Sequence, residues 1–133
     1  MIGQHQYRLQ ATWTGDRGTG TSGYRDYDRS VSLVVDGKPL LEASADTPFR
    51  GDPAKWNPEE LLLAALSECH LLSYLYACVK TDVVVVSYRD EASGTLVEDG
   101  KGGGAFTDVL LRPRVVVALS LIHISEPTRR RGI

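Results

Sequence analysis

Apolar positions change their period along the chain. From Gln6 to Trp13 they alternate, with Tyr7, Leu9, Ala11 and Trp13 on one face and Gln6, Arg8, Gln10 and Thr12 on the other. That pattern predicts a half-buried strand. The apolar runs Val31–Val35 and Leu40–Ala43 flank Asp36-Gly37-Lys38-Pro39, and Asp-Gly between apolar runs predicts a hairpin. From Leu61 to Val79 there is neither Gly nor Pro, and apolar residues lie all round the helical wheel. This predicts a helix buried on most sides. Asn57 is placed to cap its free amides, Pro58 fits the first helical position, and Glu59 and Glu60 put negative charge where the helix dipole favours it. Val83–Tyr88, Thr95–Glu98, Phe106–Leu111 and Arg114–Val117 follow as predicted strands. Glycines separate the first three, and Pro113 marks a bend before the last. The order strands, helix, strands predicts an α+β domain, its antiparallel sheets packed on a long buried central helix.

A chain of 133 residues with 42% apolar content has room for a core. The formal charge of −2 gives no reason to expect nucleic acid or an anionic membrane as partner. Nineteen helical residues would fit a bilayer, but Ser67, Glu68, His70 and Ser73 fall in their middle, where polar groups are costly in lipid. With no secretory signal pattern at the N-terminus, the two cysteines are expected as reduced cytoplasmic thiols.

The end of the chain changes the domain reading. Leu119 to Arg129 reads Leu-Ser-Leu-Ile-His-Ile-Ser-Glu-Pro-Thr-Arg, which resembles the translation of a transposase adapter used in shotgun sequencing. Residues 119–133 are therefore expected to be a non-native, adapter-derived tail making few apolar contacts. Residues 1–118 are then a domain truncated at its C-terminus.

Cys69 sits between Glu68 and His70 in the middle of the helix and is the first candidate for chemistry. Cys78 lies nine residues on, about 13.5 Å along the axis and half a turn round. That is too far for a disulfide in an intact helix, so it is expected to be a small core residue. His70 is a candidate base or substrate-orienting group, although adjacent helical residues point about 100° apart. Tyr74, Tyr76 and Trp13 are expected in the core. The glycine-rich turn Thr14–Gly23 lacks the helix and the Gly-Lys-Ser/Thr of a phosphate loop. No spacing supports a metal site.

Taken together, several segments resemble the OsmC/Ohr family of thiol-dependent peroxidases (osmotically inducible protein C and organic hydroperoxide resistance protein). The first is Asn57-Pro58-Glu59-Glu60-Leu61 with Cys69 at the family spacing. His5-Gln6-Tyr7 with Trp13-Thr14-Gly15, Ser44-Ala45-Asp46, Phe49-Arg50-Gly51-Asp52 and Ser67-Glu68-Cys69-His70 are similar to one OsmC-like subgroup. The similarity spans roughly residues 5 to 117. It implies an OsmC-like fold and an intertwined homodimer whose central helices are wrapped by sheet from both subunits. It further implies an antioxidant peroxidase that reduces organic hydroperoxides at a peroxidatic Cys69, with no bound cofactor and an external dithiol reductant, commonly lipoyl groups. The family's downstream resolving cysteine has no match here. By the same resemblance Arg17 stabilises the thiolate, with Arg25 and Arg50 as competitors, and Glu59 holds the arginine. Glu59 and Cys69 lie about 15 Å apart along one helix, so a site using both is more naturally shared between two subunits. Two other classes stay open: an OsmC-fold dimer that binds small molecules without catalysis, and a thiol hydrolase acylated on Cys69.

Overall fold

The computed structural model describes residues 3–118, 123–124 and 128–130. The chain forms two compact units, Met1–Leu61 and Leu62–Ile133.

In the first unit, β1 (Gln10–Trp13), β2 (Val31–Val34) and β3 (Leu41–Ala43) form an antiparallel sheet in the order β1-β2-β3. The expected hairpin turns at Gly37, whose φ of 80° is a conformation that glycine adopts without strain. The predicted first strand is shorter than its alternation suggests. Gln10 already faces Val34, the last residue of β2, so Gln6–Leu9 overhang the hairpin with no ladder to join. All four residues of β1 are exposed, Trp13 among them, so the half-buried face and the core role expected of Trp13 are not realised within one chain. Beyond β3, a single 3₁₀ turn at Thr47–Phe49 is capped by the carboxylate of Asp46. It leads to a parallel bridge between Ala43 and Trp56.

The helix α1 (Pro58–Lys80) begins at the end of the first unit and lies mostly in the second. Its start is a reciprocal cap. Glu60 N donates to Asn57 Oδ1 (2.8 Å) and Asn57 N donates to Glu60 Oε1 (3.3 Å). Its end is a Schellman turn in which Asp82 N donates to the Val79 carbonyl and Val83 N to the Cys78 carbonyl. Asp82 takes the left-handed position, φ 58°, that glycine more often fills.

Four long strands follow: β4 (Val85–Asp90), β5 (Ser93–Glu98), β6 (Gly104–Leu111) and β7 (Pro113–Val117). β4 pairs with β7 and β5 with β6, both antiparallel. Arg112 and Pro113 carry the chain from one sheet to the other, as the expected bend requires. The short strands β8 (His123–Ile124) and β9 (Thr128–Arg130) pair with β7 and β6, so backbone from the suspected tail extends both sheets. Its apolar contacts fall outside the described residues. Among the described residues of this unit, Val109, Leu111 and Val115 are fully buried.

The α+β class and the antiparallel sheets stand as expected. The burial of the helix does not: Cys78 is its only buried residue. Leu63 approaches β5 at Gly94, Ser67 donates to Asp90 at the end of β4, and Tyr74 packs on Tyr88. These positions share one face, so among the described residues of this unit the sheet covers α1 from that side. By length and composition α1 would also fit a membrane span. Glu68 on its exposed face would be costly there.

Candidate active site

Cys69 is a free, exposed thiol. At 3.6 residues per turn it points about 140° away from the sheet-facing side of α1. The same stripe carries Ala65, Glu68, Leu72, Ser73, Tyr76 and Val79, all exposed. Leu72 is 56% exposed, Tyr76 66% and Val79 70%. These values correct the expectation of a sulfur inside an apolar interior and of Tyr76 in the core. The sulfur instead lies on an apolar helix face, open to whatever covers that face.

Cys78 occupies the opposite side and is buried and free, as a small core residue should be. Tyr74 is held above the ordinary tyrosine range, first by burial and then by its hydrogen bond and electrostatic interaction with Cys78. Burial likewise pushes Tyr88 up, helped by the nearby Asp90 and Tyr74 charges. The Tyr88 hydroxyl has no hydrogen-bond partner among the described residues. His70 is half-buried and, one position on from Cys69, turns about 100° away from it. Among the described residues no cluster of His, Cys, Asp or Glu is arranged to hold a metal ion.

The first unit fixes the candidate cations. Thr14 N donates to the Ser30 carbonyl and Asp28 N to the Gly15 carbonyl, zipping the ends of the glycine-rich turn together. A Cβ at Gly15 would lie 1.8 Å from the Asp28 carbonyl oxygen, so only glycine fits there. Within the turn, the Asp16 carboxylate accepts from Gly18 N (2.8 Å) and Gly20 N (2.9 Å). These bonds hold its pKa below the usual carboxylate value. The amides that resemble a phosphate cradle are thus filled by the chain's own carboxylate.

Arg17 donates from Nη2 (2.8 Å) and Nε (3.1 Å) to Asp28 Oδ1, and from Nη1 to the Arg25 carbonyl. Within one chain, then, the guanidinium is held by Asp28 and not by Glu59. Glu59 Oε1 is buried with no hydrogen-bond partner among the described residues, an acceptor awaiting a donor. Arg25 contributes only its carbonyl to this group, while Arg50 lies 5.8 Å from the Tyr24 ring centroid. Asp28 went unrecognised in the sequence because its role depends on a turn that returns the chain across eleven residues. The run Tyr24-Arg25-Asp26-Tyr27-Asp28-Arg29 is dense enough in charge and aromatics to have marked it.

No family model and no curated protein matches the chain. Among solved structures, it is similar to an OsmC-like protein of unknown function from Vibrio cholerae O1 biovar eltor. The TM-score is 0.74 and the identity 34%, over 94% of this chain and 80% of that one.

Proposed function

The chain belongs to the OsmC-like family, and from that premise we propose that it is a thiol-dependent peroxidase acting on organic hydroperoxides through Cys69, as a homodimer. One observation carries the reading: a free thiol at the centre of an exposed apolar helix face. An apolar stripe of this size is a surface that a partner covers, and an isologous pairing of two copies would lay both stripes together. Leu72 and Tyr76 beside the sulfur then give an apolar wall suited to an alkyl hydroperoxide in place of hydrogen peroxide.

The thiolate attacks the distal peroxide oxygen. The S–O bond forms as the O–O bond breaks, the cysteine becomes a sulfenic acid, and the departing alkoxide takes a proton to leave as the alcohol. An external dithiol, such as a lipoyl group, then displaces the hydroxyl as water. Its second thiol closes the reductant's own disulfide and frees Cys69. An ordinary thiol is only a few per cent ionised at neutral pH, so a cation must lower its pKa once the face is covered. Arg17 is assigned that role, with Glu59 offering its unpaired oxygen to the guanidinium when two chains combine. His70 is assigned to orienting the peroxide. The surroundings are taken to be cytoplasmic, and no nucleic acid, membrane, metal or bound cofactor enters the cycle.

Treating the protein with cumene hydroperoxide in the presence of dimedone, followed by peptide mass spectrometry, tests the assignment. The expected result is a sulfenic-acid adduct on Cys69 and none on Cys78. An unmodified Cys69 under conditions that consume peroxide would overturn it.

A further inference from the structure

The segment Phe49-Arg50-Gly51-Asp52 has no role in the cycle proposed above, yet it is built to close tolerances. Arg50 has φ 63°, a left-handed conformation costly for a long side chain. A Cβ on Gly51 would lie 1.6 Å from the Ala45 carbonyl oxygen. Asp52 N donates to the hydroxyl of the buried Ser44 (3.0 Å). This loop forms one wall of a cavity of about 490 Å³ that also includes Arg29, Lys55, Ser30 and Asp28.

Three cations face that cavity, and Arg29, Arg50 and Lys55 have no carboxylate partner among the described residues. Arg29 is already fixed in place. Its guanidinium lies 3.9 Å from the Tyr27 ring centroid and 4.7 Å from that of Tyr24, and Nη1 donates to the Tyr27 carbonyl (2.7 Å). Lys55 Nζ reaches the Ser30 hydroxyl (3.2 Å). Of the two carboxylates in the lining, Asp28 is neutralised by Arg17. Asp52 accepts from Ala54 N (2.9 Å). The cavity therefore keeps a surplus of positive charge on preorganised donors, the arrangement that recognises an oxyanion.

We propose that this cavity binds an oxyanion, the phosphoryl or carboxylate group of a small molecule, clamped by Arg29, Arg50 and Lys55. The inference goes beyond the peroxidase reading and stands on the first unit alone, so either can fail without the other. Calorimetric titration of the full chain with inorganic phosphate and, separately, with citrate tests it and distinguishes the two chemistries. Saturable binding of one or both is expected, weakened about tenfold by Arg50→Asn and by Lys55→Met. Asparagine tolerates the left-handed backbone at position 50, so that variant keeps the loop, and a wild-type thermal melt verifies it. Arg89→Asn, which alters an exposed arginine in the second unit, should bind as wild type. No saturable binding of either anion at millimolar concentration overturns the proposal, and so does equal weakening by Arg89→Asn.

Discussion

Cys69 and Cys78 are the same side chain on opposite sides of one helix, and their surroundings separate their chemistry. Cys78 is buried beside Tyr74, whereas Cys69 is exposed and without a bridge. Cys78→Ser should leave peroxide consumption within about twofold of wild type while costing about 1–2 kcal/mol in urea unfolding. A larger loss of activity than of stability would reassign the reactive sulfur. Backbone-limited positions make a second prediction. Gly51→Ala would push a methyl into the Ala45 carbonyl oxygen and should destabilise the protein by at least about 2 kcal/mol. Urea midpoints measure it, and a change below about 0.5 kcal/mol would show that the loop yields easily. The position of Cys69 on the helix and the Asn57 cap were legible from the sequence, because each depends on residues a few places apart. The partner of Arg17 was not, because Asp28 reaches it only through the closed turn.

At the level of the element, the sequence reads α1 correctly in extent and wrongly in burial. An apolar pattern without period means covered on most sides, but it does not distinguish a cover made by the chain's own sheet from one made by another molecule. Among the described residues the sheet meets α1 on the side of Leu63, Ser67 and Tyr74. The termini of α1 carry their own tests. Asn57→Ala removes the reciprocal cap with Glu60 and should cost about 1 kcal/mol. Asp82→Gly relieves a left-handed aspartate and should gain about 0.5–1 kcal/mol. The glycine-rich turn and the Asp99 loop respond to acid. Asp16 and Asp99 are both held below the usual carboxylate value by bonds from backbone amides, Gly18 and Gly20 in one case and Lys101 and Gly103 in the other. A depressed folded-state pKa contributes order that is complete above the unfolded value, about 3.9, and is lost as pH falls through the folded value. Amide shifts of Gly18 and Gly103 should stay constant from neutral pH to about 4 and move below it. A transition near neutral pH would contradict this.

For the whole molecule, the exposed stripe on α1 sets the expected assembly. Leu72→Glu and Tyr76→Glu place charge on side chains that the single chain leaves open. Each variant should therefore keep its fold, shift from dimer to monomer in sedimentation velocity, and lose peroxidase activity together with the dimer. A monomer that remains active would remove the shared site while leaving Cys69 in place. Stopped-flow mixing with cumene hydroperoxide, reading the loss of free thiol, addresses the reactive sulfur itself. Wild type should lose the Cys69 thiol as peroxide is added, and Cys69→Ser should consume none. Thiol that survives in the wild type, or traces that are identical in the two proteins, would contradict a peroxidatic Cys69.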